Sequence, residues 1–364
     1  MENIKGEFPM SSFGFLTLNK KTEQLYFSEI AKRAKQFFIE VFCFSPNDID
    51  PKTEEVHGKK YNSAADHWEN AIFPIPTFIY DRCFYPSEEI LRKNVPIVNW
   101  LKNRSDSMFI GNGLPNKWKI YNVLSSHSLL QYYIPKTTKV ESTEDIFKNL
   151  YAHRKILLKP ENGSQGRGII SLELNGKQIE LLTQRHKNLI HKIFSKKEQL
   201  SKWLQQLTTA HSYLIQPFLE LQDREKCPFD IRILLQKNKD NNWQEAGRGI
   251  RKGQQGHIIS NLHGGGSVHS FTDWLPSIDR NRRILLIDDI ETIISHLPVT
   301  LEQSFGPLFE LGIDIGVAKD GTIWVLDTNS KPGHKTILET NPSIENQLYS
   351  APLEYCKHLA LQRS

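Results

Sequence analysis

Between Leu308 and His334 the chain reads LFELGIDIGVAKDGTIWVLDTNSKPGH, a stretch with few ways to fold. Apolar residues alternate on both sides of Asp320-Gly321, a pair suited to the turn of a β-hairpin. A two-residue loop there pairs Lys319 with Thr322, and counting outward sets Asp314 opposite Asp327. Because side chains alternate along a strand, Asn329 shares the face of the two aspartates, while Ile313, Ile315, Val317, Trp324 and Leu326 turn to the core. Gly312, Gly316 and Ala318 add little bulk to the polar face and leave room above it. Like charges directly opposite across a strand pair repel, by roughly 3 kcal/mol at about 5 Å and an effective dielectric of about 20. Such a pair holds a proton or a cation. Two carboxylates and a carboxamide form an all-oxygen donor set suited to Mg²⁺ or Mn²⁺, with water or phosphate completing the shell. The alternative is a solvated hairpin whose aspartates never meet.

Residues 155–174, KILLKPENGSQGRGIISLEL, read as strand, glycine-rich loop, strand. The apolar run Ile156 to Leu158 ends at Lys159-Pro160 and is followed by Gly163-Ser164-Gln165-Gly166-Arg167-Gly168. Its three glycines can take positive φ, so that successive N–H groups point inward at an anion. The loop lacks the Gly-Lys-Ser/Thr of a Walker motif, and the strand after it rules out a dinucleotide fingerprint. It is either a phosphate clamp or a plain hairpin turn. Lys159, at the strand end, favours the clamp, since an ammonium there reaches a phosphate. Further on, Asp230-Ile231-Arg232 opens the strand DIRILLQK, with Asp230 and Arg232 on one face. Arg248 and Arg251 follow, then Ser260-Asn261-Leu262-His263-Gly264-Gly265-Gly266-Ser267. The Asp-x-Arg pair is either a structural ion pair or a bidentate phosphoryl ligand.

The amino-terminal third has the pattern of a separate α/β unit. Phe13 to Leu18, Ile39 to Phe44 and Phe78 to Tyr80 read as strands, and Ser28 to Phe38 as a helix, giving a right-handed parallel crossover. Asp81 and Arg82 lie at the carboxyl end of the third strand, where such sheets bind ligands; a surface ion pair is the simpler reading. Residues 176–210 are rich in Lys, His and Gln, but Leu189, Ile190, Ile193, Phe194, Leu200 and Leu204 recur at helical spacing. An amphipathic helix pair explains this run better than a nucleic-acid surface. A further helix is expected over Arg283 to Phe305. Met10, followed by SSFGFLTL, is a candidate start alongside Met1. The net charge of +5 in 364 residues suits small anionic ligands without demanding a polyanion. Cys43, Cys83, Cys227 and Cys356 are too scattered for a zinc site or a disulfide framework. With no signal peptide and no apolar run of spanning length, a cytoplasmic protein without a membrane partner is expected.

Taken in order, Lys-Pro with a glycine loop, Gln216-Pro217-Phe218-Leu219, Asp-x-Arg, Asn-Leu-His-x-Gly-Gly and Asp…Asp-x-Asn-x-x-Pro-Gly resemble the ATP-grasp superfamily. The Asn-Leu-His-Gly-Gly and Pro-Gly endings are similar to the ribosomal-protein glutamate ligase type. LKPENGSQGRGI, FDIR, SNLHGGG, GIDIG, NSKPG and the upstream Phe78-Ile79-Tyr80-Asp81-Arg82 resemble, more narrowly, the YheC/YheD family of endospore coat-associated ATP-grasp proteins.

That resemblance implies an α/β chain, α+β in its ATP-grasp part. It would comprise an N-terminal pre-ATP-grasp α/β domain over 10–115, a small subdomain over 116–213 and a large subdomain with the metal site over 214–350. It implies ATP, with Mg²⁺ or Mn²⁺ on Asp314, Asp327 and Asn329. The superfamily commonly has Glu at the position of Asp327, and the shorter side chain puts two-metal bridging in doubt. By the same resemblance Lys159, Gly163, Ser164, Gln165, Gly166, Arg167, Gly168 and Lys119 would face the phosphates. Gln216, Pro217, Phe218 and Leu219 would line the adenine, with Glu220 or Asp223 on the ribose. Arg232, Arg251 (or Arg248) and Asn261 would act in catalysis, with His263 and Gly264 to Gly266 beside them. The reaction implied is carboxylate–amine ligation through an acylphosphate, in a mother-cell protein associated with the spore coat and its proteins. A structural or regulatory ATP-binding coat component, or a kinase, is the alternative.

Overall fold

The computed structural model describes residues 11–163, 166–185, 188–223, 225–258, 260 and 265–362. β1 (Ser11–Leu16) leads through α1 (Gln24–Arg33) into β2 (Ile39–Phe44), which lies parallel to it. The antiparallel hairpin of β3 (Glu55–Asn62) and β4 (His67–Pro74) extends the sheet beyond β2. On the other side β5 (Phe78–Asp81) runs parallel to β1, and after α2 (Glu88–Lys102) the short β6 (Met108–Phe109) completes the order β4-β3-β2-β1-β5-β6. The parallel crossover is as the sequence implies. The β3–β4 hairpin was not anticipated, because its polar residues obscure the alternation.

α3 (Lys117–Ser125) follows, capped by the Asn116 side chain. Its Ile120 and Leu124, with Leu130, are buried in the core of the third sheet rather than the second. The second sheet comprises β7 (Thr138–Lys139), α4 (Thr143–His153), β8 (Lys155–Pro160), β9 (Ile170–Asn175), β10 (Gln178–Arg185), β11 (Asn188–Phe194), α5 (Lys197–Ala210) and β12 (Tyr213–Pro217). Its strand order is β11-β10-β9-β8-β12-β7. Here the expected helix pair is corrected. Asn175-Gly176, with Gly176 at φ +59°, is a hairpin turn, and Ile179 and Leu181 alternate into the core from a strand. Leu189 and Ile193 lie on β11 and are 40% and 53% exposed. Only α5 is helical, and it buries Leu200 and Leu204.

The third sheet contains β13 (Phe229–Lys237), β14 (Trp243–Lys252), β15 (Ser267–Ser270), then α6 (Phe271–Trp274), α7 (Arg280–Phe305), β16 (Glu310–Val317) and β17 (Ile323–Asn329). The order β15-β14-β13-β16-β17 is antiparallel throughout. α7 packs Leu286, Ile290, Ile293, Leu297 and Leu301 onto one face, against Ile231, Ile233, Ile313 and Ile315. The opposite face therefore carries the polar partners of those isoleucines, Asp230, Arg232 and Asp314 among them. After α8 (Lys335–Thr340), α9 (Glu345–Leu361) returns to the first sheet. Its Leu348, Leu353 and Cys356 share a core with Phe27 and Ile30 of α1, so this helix runs past residue 350 into the amino-terminal unit. The four cysteines are free, and no helix among the described residues is long and apolar enough to cross a membrane.

Candidate active site

β16 and β17 place Asp314 opposite Asp327 and Gly312 opposite Asn329. The route to that pairing differs from the expected one. The loop holds three residues, Lys319-Asp320-Gly321, closed by Ala318 N donating to Thr322 O at 2.9 Å, with Gly321 at φ +93°. A bulge between the Asp314–Asp327 and Ile315–Val325 pairs absorbs the extra residue. The aspartates meet, but Ile323 and Val325 fill the core, while Trp324 and Leu326 turn to the polar face. The room expected above Gly312 and Gly316 is filled as well. A Cβ at Gly312 would lie 2.6 Å from Arg232 Nη2, and one at Gly316 2.6 Å from Leu221 Cδ1.

A chain of alternating charges runs across this face. Arg232 Nη1 contacts Asp314 Oδ1 at 2.5 Å, and Arg251 Nη2 contacts Asp314 Oδ2 at 2.8 Å. Arg251 also grips Asp230 in bidentate fashion, at 2.7 and 2.9 Å, and the Ser260 hydroxyl donates to the same carboxylate. Burial alone would push the Asp314 carboxyl up, but Arg251 and Arg232 outweigh it and hold the group well below the usual carboxylate range. Asp230 is pushed up by burial, with Asp314 adding to it and Arg251 opposing. Arg248 is bound instead to Glu245 and, at 3.0 Å, to Glu291, so Arg251 is the arginine of this network.

Asp327 Oδ1 accepts from Lys117 Nζ at 2.5 Å and from Thr328 N at 3.1 Å, and its Oδ2 has no partner among the described residues. Asn329 Oδ1 accepts from Lys331 N at 2.9 Å. Lys159 points its ammonium at Leu326 O, 3.4 Å away. Burial lowers its pKa to about 8, with Lys117 adding to the effect and Asp327 and Asp314 opposing it.

Lys119 is not the lysine that faces this hairpin. It is exposed, and its backbone N–H serves the Asn116 cap; Lys117, in the first turn of α3, reaches Asp327. Glu161 anchors that turn: its Oε1 accepts from Asn116 Nδ2 at 2.8 Å, its carbonyl from Lys117 N at 3.1 Å, and Lys139 sits 3.2 Å from its Oε2. The Asn cap in NKWKIYNVL was the available signal, since it marks Lys117 as the first helical residue.

In the glycine loop Gly163, Gly166 and Gly168 all have positive φ, and Arg167 is exposed; Ser164 and Gln165 lie outside the described residues, as do Asn261, His263 and Gly264. At the hinge, Gln216 Nε2 donates to Thr137 Oγ1 at 2.8 Å, Pro217 pairs with Ile156, and Phe218 N donates to Lys155 O at 3.1 Å, ahead of Leu219. Glu220 pairs with Lys319 at 2.9 Å. Asp223, Glu225 and Cys227 cluster nearby, but Lys252 sits between the two carboxylates at 2.7 and 2.5 Å, which makes this a salt-bridged turn.

Asp81 and Arg82 are not a surface pair. Arg82 is 0% exposed and bridges Glu310 at 2.6 Å, Glu23 at 2.5 Å and the carbonyl of Pro332 at 3.1 Å. Asp81 binds Lys331 at 2.8 Å, and Lys331 also donates to the Cys83 carbonyl at 2.9 Å. The turn after β5 thus clamps the Ser330–His334 loop that leaves the aspartate hairpin. Glu310 completes the junction, accepting from Tyr80, from Gln236 at 3.4 Å and contacting His334 Nε2 at 3.0 Å.

With this geometry in place, the comparison with known proteins is decisive: residues 106–359 match the family model described as YheC/D like ATP-grasp. The chain belongs to the YheC/D-like ATP-grasp family. It is 40% identical over 355 residues to the endospore coat-associated protein YheC of Bacillus subtilis (strain 168), covering 98% of each chain. Among solved structures it is similar to the D-cycloserine synthetase DcsG, with a TM-score of 0.56 and 11% identity over 97% of this chain and all of that one. It is also similar to D-alanyl-alanine synthetase A from Vibrio cholerae O1 biovar eltor str. N16961, with a TM-score of 0.53 and 10% identity over 96% of this chain and 98% of that one. The α+β architecture is that of the ATP-grasp fold. By family and fold the chain is an ATP-grasp protein. Asp314, Asp327 and Asn329 form an all-oxygen set on one face that fits the Mg²⁺ such nucleotides carry; Asp327 Oδ2 has no partner among the described residues, while both Asp314 oxygens are engaged by Arg232 and Arg251.

Proposed function

We propose that the protein joins a carboxylate to an amine with consumption of Mg·ATP, in the formation of the endospore coat. The single observation that carries this reading is the opposed Asp314–Asp327 pair set among Arg232, Arg251, Lys117 and Lys159. Four cations surround a narrow acidic strip and so favour a triphosphate and the anion that attacks it. No residue of the described face is placed as a general base, and a carboxylate nucleophile needs none. The substrate carboxylate oxygen bonds to the γ-phosphorus as the bond to ADP breaks. The amine then attacks the acyl carbon, loses a proton and expels phosphate.

Each residue has a share in managing charge. Asp314, Asp327 and Asn329 would hold Mg²⁺, which when bound supplies charge neutralisation at the phosphates. Arg232 and Arg251, oriented through Asp314 and Asp230, would steady the transferred phosphoryl group. Lys117 and Lys159 would hold the triphosphate from opposite elements, α3 and β8. Gly163 to Gly168 would cover it, and Gln216 to Leu219 would meet the adenine. The junction of Asp81, Arg82 and Lys331 brings the amino-terminal unit against the Pro332-Gly333 loop, a position from which it can shape the acceptor site. The endospore-coat association of the YheC relative supports a protein deposited on the coat.

The test is ADP release from Mg·ATP with pooled amino acids, short peptides and cell-wall precursors, comparing the parent with Asp327→Ala. Release that depends on one pool, vanishes in the variant and yields an amide by mass supports the proposal. A phosphate ester as product, or tight ATP binding without release from any pool, overturns it.

A further inference from the structure

A cavity of about 580 Å³ opens in the first sheet, and its lining among the described residues comes only from positions 18–68. Neither of the other two sheets contributes to it. It lies where the parallel strands β1 and β2 end and the first turn of α1 begins, on the carboxyl-end side of the sheet. The volume falls within the usual range for small-molecule pockets.

The lining mixes two kinds of chemistry. Aromatic residues are Phe27, almost wholly buried, and Trp68, whose indole N–H is fixed by the Ser28 hydroxyl at 2.9 Å. Basic residues are Lys20, Lys21 and Lys59. Lys20 is matched by Asp48 at 2.6 Å, whereas the Lys21 and Lys59 ammoniums have no partner among the described residues. Gln24, the first residue of α1, lines the cavity too, and no side chain caps that helix. Two ammoniums without a partner among the described residues, close to the start of α1, call for a doubly charged anion. The lining among the described residues contains no arginine, so an anion there is held by lysine point charges, and two of them favour a doubly charged phosphate over a singly charged carboxylate. Cys43 forms part of the lining, and burial pushes its thiol up to about 12. It stays protonated and offers no nucleophile, so the ligand is held non-covalently.

We infer that this cavity binds a small organic phosphate monoester with a flat apolar body, its phosphate on Lys21 and Lys59 and its body against Phe27 and Trp68. The site is separate from the nucleotide face described above, and its test involves neither ATP nor turnover. Phenyl phosphate is the probe, titrated calorimetrically into the full chain. Binding at one site is expected, weakened about tenfold by Lys59→Gln and by Lys21→Gln through loss of one charge-assisted contact each. Lys117→Ala, on the nucleotide side, should leave it unchanged, and benzoate should bind at least about tenfold more weakly than phenyl phosphate. Lys21 is exposed, so its variant reports on binding with the fold undisturbed. Absence of binding at millimolar phenyl phosphate overturns the assignment. So does equal affinity in both lysine variants and the parent, equal affinity for benzoate, or a matching loss in Lys117→Ala.

Discussion

Replacing Glu310 by Gln removes one negative charge from the junction between the first and third sheets while keeping the side chain's shape. Glu310 is 1% exposed and Arg82 is 0% exposed, so neither can recruit water when the pair is broken. Breaking a buried ion pair from one side costs about 3–5 kcal/mol. Arg82 keeps Glu23 at 2.5 Å and the Pro332 carbonyl, which places the expected loss at the low end, about 3 kcal/mol. The sign of the pH dependence follows from the carboxyl itself. Burial alone would push Glu310 up, but His334 and Arg82 outweigh it and hold the group below the usual range. Its contribution is therefore full above pH of about 4.5, where an unfolded glutamate is ionised, and fades as pH falls through the lower folded value. Urea unfolding followed by circular dichroism, at pH 7 and at pH values below the carboxylate range, measures both effects. The gap between parent and variant should be about 3 kcal/mol at neutral pH and shrink in acid. A neutral-pH gap under about 1 kcal/mol, the size of a surface pair, or a gap that widens in acid, would refute the reasoning.

Lys117→Ala should lower kcat/KM for Mg·ATP by about a hundredfold, as loss of a charge contact to the triphosphate region would, while Lys119→Ala stays within about twofold of the parent. Equal effects would return the role to Lys119. Asp327→Ala should abolish Mg·ATP-dependent ADP release with an unchanged circular dichroism spectrum; retained release would remove it from the metal site. Gly312→Ala drives a methyl to within 2.6 Å of Arg232 Nη2 and 2.8 Å of Pro332 Cβ, so a stability loss of about 1–3 kcal/mol with loss of turnover is expected in urea titration and the ADP assay. Lys159→Ala should chiefly weaken nucleotide binding, read by calorimetry; unchanged affinity would place the phosphate contact elsewhere.

The parts of the site legible in the sequence were those set by local rules. Strand alternation and the Asp-Gly turn were enough to put Asp314 opposite Asp327, although a longer loop and a bulge changed which apolar residues face the core. The same alternation placed Asp230 and Arg232 on one face. Residues 178–194 were misread because apolar residues three and four apart fit a helix as well as a hairpin, and sheet pairing with β9 decided between them. The convergence of Arg232 and Arg251 on Asp314 depends on β13 lying between β14 and β16, a long-range order that no local pattern encodes. Arg82 looked like a surface residue because charge usually is, and its burial requires Glu310, far along the chain. Lys117 and Lys119 differ only in helical phase, which the Asn116 cap fixes.

The return of α9 to α1 also bears on how the chain is made. Arg33 reaches Asn346 at 3.0 Å and lies over the Tyr349 ring at 5.1 Å, and Leu348, Leu353 and Cys356 complete the core begun by Phe13, Phe15 and Phe27. During synthesis from the amino terminus, these partners emerge only after all three sheets have been produced. Until then the first sheet exposes the apolar face that α9 will cover, so the amino-terminal unit cannot complete its core before α9 has been made.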